Sequence, residues 1–366
     1  MIKKLLLGVA AIGIASTLFL QKYPKFGKAP NSQKKSTFAA SPNFEKNKFK
    51  NLSPTTVDSG IRFIVSVLKD FVLQKPDLAP TNPLPTHDFK FRKPSTTETR
   101  VTWFGHSAVL IELNGKTIFI DPMLGRSPSP FPPIGAKRYN PGLPFEMDNV
   151  PAIDIIVYSH DHYDHLDYNS VKRLKDKVGL FIVPLGVGSR LEGWGVPSSI
   201  IKELDWWDTL VVSGIKFVST PARHFSGRSL FDHDSTLWSS WVIQNGESNI
   251  FFSGDSGYGP HFKDIGDKYG PFDFTMMECG QYDKRWVAIH MMPEQTVQAH
   301  LDLKGQLMMP IHWAAFTLAF NAWTDSIERV TKAAYVQAIK MTTPKIGQSF
   351  RLNSEDYPTD QWWKQA

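Results

Sequence analysis

Six consecutive residues, His160-Asp161-His162-Tyr163-Asp164-His165, bring three imidazoles and the Asp164 carboxylate together directly after the apolar run Asp154 to Ser159. Imidazole and carboxylate are groups that zinc, iron or manganese accept as ligands. Where a strand ends, residues two apart point the same way, so His160 and His162 can share one ion. Asp164 and His165 lie where the chain turns into a helix and can reach a second. The competing reading is a surface polar cluster or a pair of core histidines. Four potential ligands packed this tightly would then carry a desolvation or repulsion cost without benefit.

Two ions need further ligands, and other strand ends supply candidates. His224 follows the strand-like Lys216 to Thr220, Asp255 follows Ile250 to Gly254, and His312 follows Leu307 to Ile311. Each is a polar residue at the point where an apolar strand empties into a loop, a common place for active sites in α/β proteins. His312 beside Trp313 also reads as a hydrogen-bonded core histidine when taken alone. The repeated strand-then-ligand pattern makes it a candidate.

The elements that must position these groups are those of a sheet-rich α/β domain beginning near Thr99. Val101 to Phe104, Ala108 to Leu113 and Thr117 to Ile120 read as strands, with Asn114-Gly115 as a hairpin turn. Further strands are expected at Asp154 to Ser159, Leu180 to Pro184, Ile215 to Thr220, Ser239 to Gln244, Ile250 to Ser253 and Leu307 to Ile311. Helices are expected around Ser170 to Asp176, from Pro293 to a stop at Gly305, and over about Asp325 to Ile339. Ile61, Ile64, Val65, Leu68 and Val72 support a short amphipathic helix ahead of the domain. Lys75 to Pro94, with its repeated prolines, is expected to run extended over the surface.

The formal charge of +6 is unevenly distributed. Residues 1–50 hold ten lysines against one acid, Glu45, which makes +9 and leaves −3 for the rest. A nucleic-acid footprint needs basic residues on the folded body itself, so no nucleic-acid partner is expected. The basic tail suits an anionic membrane surface or a soluble linker. Before it, Leu5 to Leu20 is an uncharged and mostly apolar run after Lys3 and Lys4, matching a signal peptide or signal anchor, with a buried soluble helix as the alternative. The expected location is therefore membrane-associated, or periplasmic or secreted. Cys279 is the one cysteine, so the fold needs no disulfide.

The expected division is a signal or anchor over 1–20, a basic flexible tether and extension over 21–98, a hydrolase domain over 99–350 and a tail over 351–366. His160 to His165 completes the motif His-x-His-x-Asp-His, and the chain resembles the metallo-β-lactamase superfamily. It resembles more closely the N-acylphosphatidylethanolamine-hydrolysing phospholipase D family. That likeness rests on Thr102 to Ser107, Ile120-Asp121-Pro122, Glu203 to Trp207, Pro221 to His224, Leu237 to Trp241, Gly254 to Tyr258 and Ile311-His312-Trp313. It covers roughly residues 85–345.

The resemblance implies an α/β fold, the αββα sandwich of two mixed sheets flanked by helices. It implies two zinc ions, with iron or manganese as alternatives. His160, His162 and His224 would hold one ion, Asp164, His165 and His312 the other, and Asp255 would bridge them. The catalytic candidates are Asp255, Asp164 and His290, the last matching a family histidine near the substrate phosphate. The implied reaction is hydrolysis of an N-acylated phospholipid or another phosphodiester, and a homodimer is the implied assembly.

Asp121 could orient a ligand imidazole, or cap a turn. Arg223 and His106 are weaker candidates for ligand orientation or anion contact. Trp206, Trp207, Trp238, Trp241 and Trp313 read mainly as core, with an acyl channel as the alternative. Met276-Met277 and Met291-Met292 could soften a lipid-facing wall, whereas Met308-Met309 read as core. A lactonase with the same ligands and a noncatalytic scaffold are the competing functions.

Overall fold

Asn114 and Gly115 have φ of +50° and +72°, the left-handed pair that a two-residue hairpin turn requires. They set Leu113 opposite Lys116 and so fix the register of the strands Val109–Leu113 and Lys116–Ile120. In this computed structural model, which describes residues 23–56, 61–73, 77–133, 135–229 and 231–366, that hairpin belongs to the first of two seven-stranded sheets.

The first sheet runs Ser349–Arg351, Arg100–Trp103, Val109–Leu113, Lys116–Ile120, Ile153–Val157, Val178–Pro184, Ile201–Leu204. The second runs Lys340–Met341, Gly305–Ile311, Phe272–Glu278, Asn249–Phe252, Ser240–Gln244, Ile215–Thr220, Thr209–Val212. Each sheet is antiparallel on one side and parallel on the other. The result is the αββα sandwich expected from the resemblance.

Alternation along the strands shows how the layers form. Val109, Ile111, Ile118, Ile120, Ile155 and Val157 join the core shared with Phe217, Ile243, Phe251 and Met276 of the other sheet. Their neighbours Leu110, Phe119, Ile156 and Phe181 turn to the opposite face, where Val171, Leu174 and Leu191 of the helices Tyr168–Leu174 and Gly188–Gly193 cover them. Because both faces are buried, these strands read as nearly continuous apolar runs. The helices His261–Tyr269, Pro293–Asp302 and Asp325–Val336 add Phe262, Ile265, Val297, Ile327 and Val330 to the core.

Much of the sequence outside 99–350 is packed against this body. Phe38 and Phe49 are buried with Trp206, Leu237 and Trp238, although they fall in the stretch expected as a flexible tether. Trp362 and Trp363, expected in a tail, are also buried. Trp313 stacks on both Trp103 and Trp362, with ring centroids 5.4 and 5.2 Å away, in a three-ring cluster that leaves Trp103 and Trp362 6.5 Å apart. Met276, Met277, Met291, Met308 and Met309 are all core, and of the methionines expected to soften a lipid-facing wall Met292 alone is partly exposed.

The apolar segment 1–20 lies outside the described residues. The membrane-associated, periplasmic or secreted location that rested on it does not stand, because among the described residues no helix is long and apolar enough to cross a membrane.

Candidate metal centre

The polar residues that follow the strands converge at one end of the sandwich. The strand Ile153–Val157 leads into His160 to His165, Ile215–Thr220 into His224, Asn249–Phe252 into Asp255 and Gly305–Ile311 into His312. All seven expected ligands meet there. His160, His162 and His224 offer ligand atoms within 4.8 Å of one another, as do Asp164, His165 and His312 together with His106. Between the trios sits Asp255, whose Oδ2 lies 3.1 Å from Nε2 of both His165 and His312, and 3.8 and 3.9 Å from those of His224 and His160.

Three imidazoles are fixed from behind. His165 donates from Nδ1 to Asp121 (2.7 Å), His224 to the Ile289 carbonyl (3.0 Å) and His312 to the Gly280 carbonyl (3.3 Å). Such bonds set the ring orientation and leave Nε2 facing inward, the arrangement that metal-ligating histidines use. Asp121 also accepts from the Ser159 amide (2.7 Å). Its sequence-based role as an orienting group thus has a geometric basis.

Backbone strain gathers at the same place. His106, Asp121 and His312 have φ of +53°, +40° and +69°. Non-glycine residues in this region cost on the order of 1–3 kcal/mol each, and they persist where the surroundings over-determine them. Gly280 shows one such constraint, since a β-carbon there would meet the His312 carbonyl at 2.0 Å.

Burial and charge compete throughout the site. Burial, with the neighbouring imidazoles, holds His160 well below the usual imidazole range, and it does the same for His224. Burial would lower His165 and His312 as well, but carboxylates outweigh it: Asp255, Asp164 and Asp121 raise His165 well above its usual value, and Asp255 with Asp164 raises His312 to about 10. Burial opposes ionisation of Asp164 and Asp255, yet the adjacent imidazoles hold both well below the carboxylate range. Two ionised carboxylates at this depth need compensating positive charge.

The donor set fits a pair of divalent cations. Among the described residues, buried His160 Nε2, His165 Nε2 and Asp255 Oδ1 have no hydrogen-bond partner, and all three belong to these clusters. Orphaned polar atoms at a single buried site call for a specific explanation, and an ion supplies one.

Other residues divide between the cleft and its supports. His290 lines a cavity of about 290 Å³ together with His162, Asp164, His224, Asp255 and His312. Its Nδ1 donates to Glu278 (3.0 Å), a wholly buried carboxylate that also accepts from the Ser256 and Met291 amides, each at 3.1 Å. Sequence reasoning missed Glu278, although it closes the apolar strand Phe272–Glu278 in the same strand-then-polar pattern. His106 donates to Asp164 Oδ2 (2.9 Å), and burial pushes its pKa down to about 3. Asp161, inside the motif, instead accepts from Arg190 (3.0 Å) and the Gly227 amide (2.8 Å). Arg223 is bonded to Pro54 and Thr55.

A buried His/Asp cluster where strand ends of two mixed sheets meet defines a metal-dependent hydrolase of the αββα class. The chain belongs to the metallo-β-lactamase superfamily, and the model described as "Beta-lactamase superfamily domain" matches residues 116–313. It is 39% identical over 319 residues to an uncharacterized protein of Mycobacterium tuberculosis, an alignment covering 84% of each chain. It is also homologous to the N-acyl-phosphatidylethanolamine-hydrolyzing phospholipase D 1 of Caenorhabditis elegans, at 35% identity over 59% of this chain and 64% of that one. Among solved structures, the metallo hydrolase Igni18 of Ignicoccus hospitalis shares the fold, with a TM-score of 0.55 and 20% identity over 70% of this chain and 98% of that one.

Proposed function

We propose that this chain is a binuclear-metal phosphodiesterase that hydrolyses N-acylphosphatidylethanolamine-like phospholipids to an N-acylethanolamine and phosphatidic acid. The observation that carries this reading is the 35% identity to the nematode phospholipase D over 230 residues, 59% of this chain, taken with the buried His/Asp cluster. His160, His162 and His224 would hold one ion, Asp164, His165 and His312 the other, with Asp255 placed to serve either. Zinc suits this imidazole-rich set, with iron or manganese as the alternatives. Bound, the pair supplies Lewis acidity toward a phosphoryl oxygen and acidifies water.

The chain's own residues do the rest. The Glu278 carboxylate fixes Nδ1 of His290 as a donor and so directs its Nε2 to the cleft beside His224 and Asp255. There His290 orients a phosphoryl oxygen. Phe225 and Ile289, with His224, line both this cleft and a second cavity of about 790 Å³ walled by Phe49, Leu52, Pro54 and Trp238. A cleft of about 290 Å³ is too small to enclose a phospholipid. The adjoining cavity takes one of its apolar arms.

Incubating metal-loaded protein with N-acylphosphatidylethanolamine, a simple phosphodiester and a lactone tests the reading. Phosphatidic acid and N-acylethanolamine are the expected products. Rapid lactone opening with both phosphodiesters inert would overturn it.

A further inference from the structure

The segment 49–55 lies outside the matched superfamily domain, yet it is bonded to the loop that carries His224. Asn51 donates from Nδ2 to the His224 carbonyl (2.8 Å), and its Oδ1 accepts from the His224 amide (3.0 Å). The same oxygen accepts from Nε1 of the buried Trp238 (3.2 Å). On either side, Arg223 donates to the Thr55 hydroxyl (3.0 Å) and the Pro54 carbonyl (2.8 Å), and the Phe49 amide donates to the Asp234 carbonyl (2.9 Å).

We infer that Asn51 is a positioning residue for the metal centre, one that fixes the backbone from which His224 presents its imidazole. The inference rests on the ligand set proposed above. His224 leaves the strand Ile215–Thr220 on a loop, so no sheet partner satisfies its amide and carbonyl. A side-chain amide carries one donor group and one acceptor at the spacing of a peptide and can satisfy both. The imidazole is meanwhile held at Nδ1 by the Ile289 carbonyl. With backbone and ring each anchored to a different part of the chain, the direction of Nε2 is determined. Without Asn51, two backbone groups lose their partners and one of the restraints that keep the ring beside His162 is removed; His162 Nδ1 is 3.1 Å from His224 Nε2.

The test is titration of the metal-free full chain with Co²⁺, following its visible absorption, in Asn51→Ala, Asn51→Asp and Asn43→Ala proteins. Asn43 lies in the same segment but bonds to Asp205 (3.2 Å), away from His224. In Asn51→Ala, the expected result is that one binding event weakens by about 10–100-fold while the other is unchanged, the range for groups that orient a ligand. Asn51→Asp keeps the acceptor, loses the donor and should fall between Ala and the unaltered protein. It also serves if the alanine variant fails to fold. Asn43→Ala should lower the melting temperature but leave both affinities unchanged. Unchanged affinity in both Asn51 variants, or an equal loss in Asn43→Ala, would overturn the positioning role. If the unaltered protein took up no metal, the ligand reading would fall first and this inference with it.

Discussion

The two sheets have the same strand count and the same antiparallel-to-parallel plan, but they supply the centre differently. The first delivers His160, His162, Asp164 and His165 from one loop within six residues. The second delivers His224, Asp255 and His312 from three separate strand ends. A contiguous cluster needs only one strand to be placed correctly. A dispersed one needs the register of several strands, and its members need individual anchors such as the Ile289 and Gly280 carbonyls. The first half provides ligand density, and the second provides the geometry that turns density into a site.

The comparison breaks most visibly at Asp255, whose Oδ2 lies 3.1 Å from His165 of the first half and from His312 of the second. Asp255→Asn should lower kcat/KM by more than about 10³, beyond the 10–100-fold typical of orienting groups, with loss of both ions in elemental analysis. Retention of two ions and near-normal turnover would show that the halves do not depend on it.

Asp161→Asn sharpens the picture within the first half, because this carboxylate faces Arg190 and not the cleft. Removing one partner of a buried pair costs about 3–5 kcal/mol, and the low end is expected since Arg190 keeps Asp232 at 2.6 Å. Urea unfolding should show that loss, while the folded fraction still binds two ions.

Asp121→Asn tests the anchoring of the contiguous half. A 10–100-fold weaker affinity for one ion is expected, measured by competition with a chelator. An unchanged affinity would mean that the contiguous ligands need no support from behind.

A further effect, seen only on acidification and small near neutral pH, concerns His261, which receives or donates a hydrogen bond with Ser256 (3.1 Å) beside Asp255. Burial, then Arg223, pushes its pKa down to about 3 from 6.5. The unfolded chain takes up a proton there below the higher value and the folded protein does not. Its contribution is therefore complete above pH 6.5 and is lost as pH falls toward 3, at about 1.4 kcal/mol per pH unit. His261→Gln should flatten the stability curve by that slope in this window; an identical curve would remove His261 as the cause.

What could be read directly from the residues follows the same division. His160 to His165 announces itself because its ligands are neighbours in the chain, and His224, Asp255 and His312 stand out because each ends an apolar run. Most central strands are visible as such runs, since both of their faces are buried. Edge strands such as Ile201–Leu204 and Thr209–Val212 are short, half-exposed and polar in part, so their pattern is weak. Glu278 also ends an apolar run, but its burial beside His290 comes from the topology. Asn51 could not be found, because its partner is 173 residues away and the basic composition around it resembles a tether. Phe38, Phe49, Trp362 and Trp363 were the available hints that both flanks belong to the body.

The tryptophan stack bears on when the centre can come into being. His312 is followed by Trp313, whose indole packs against those of Trp103 and Trp362. His312, one of the proposed ligands, is thus seated by residues from distant parts of the sequence. On the ligand set proposed above, His160 to His165 alone would leave each ion short of its ligands from the second sheet. The proposed centre is therefore complete only in the folded chain, when Trp103, Trp313 and Trp362 have come together.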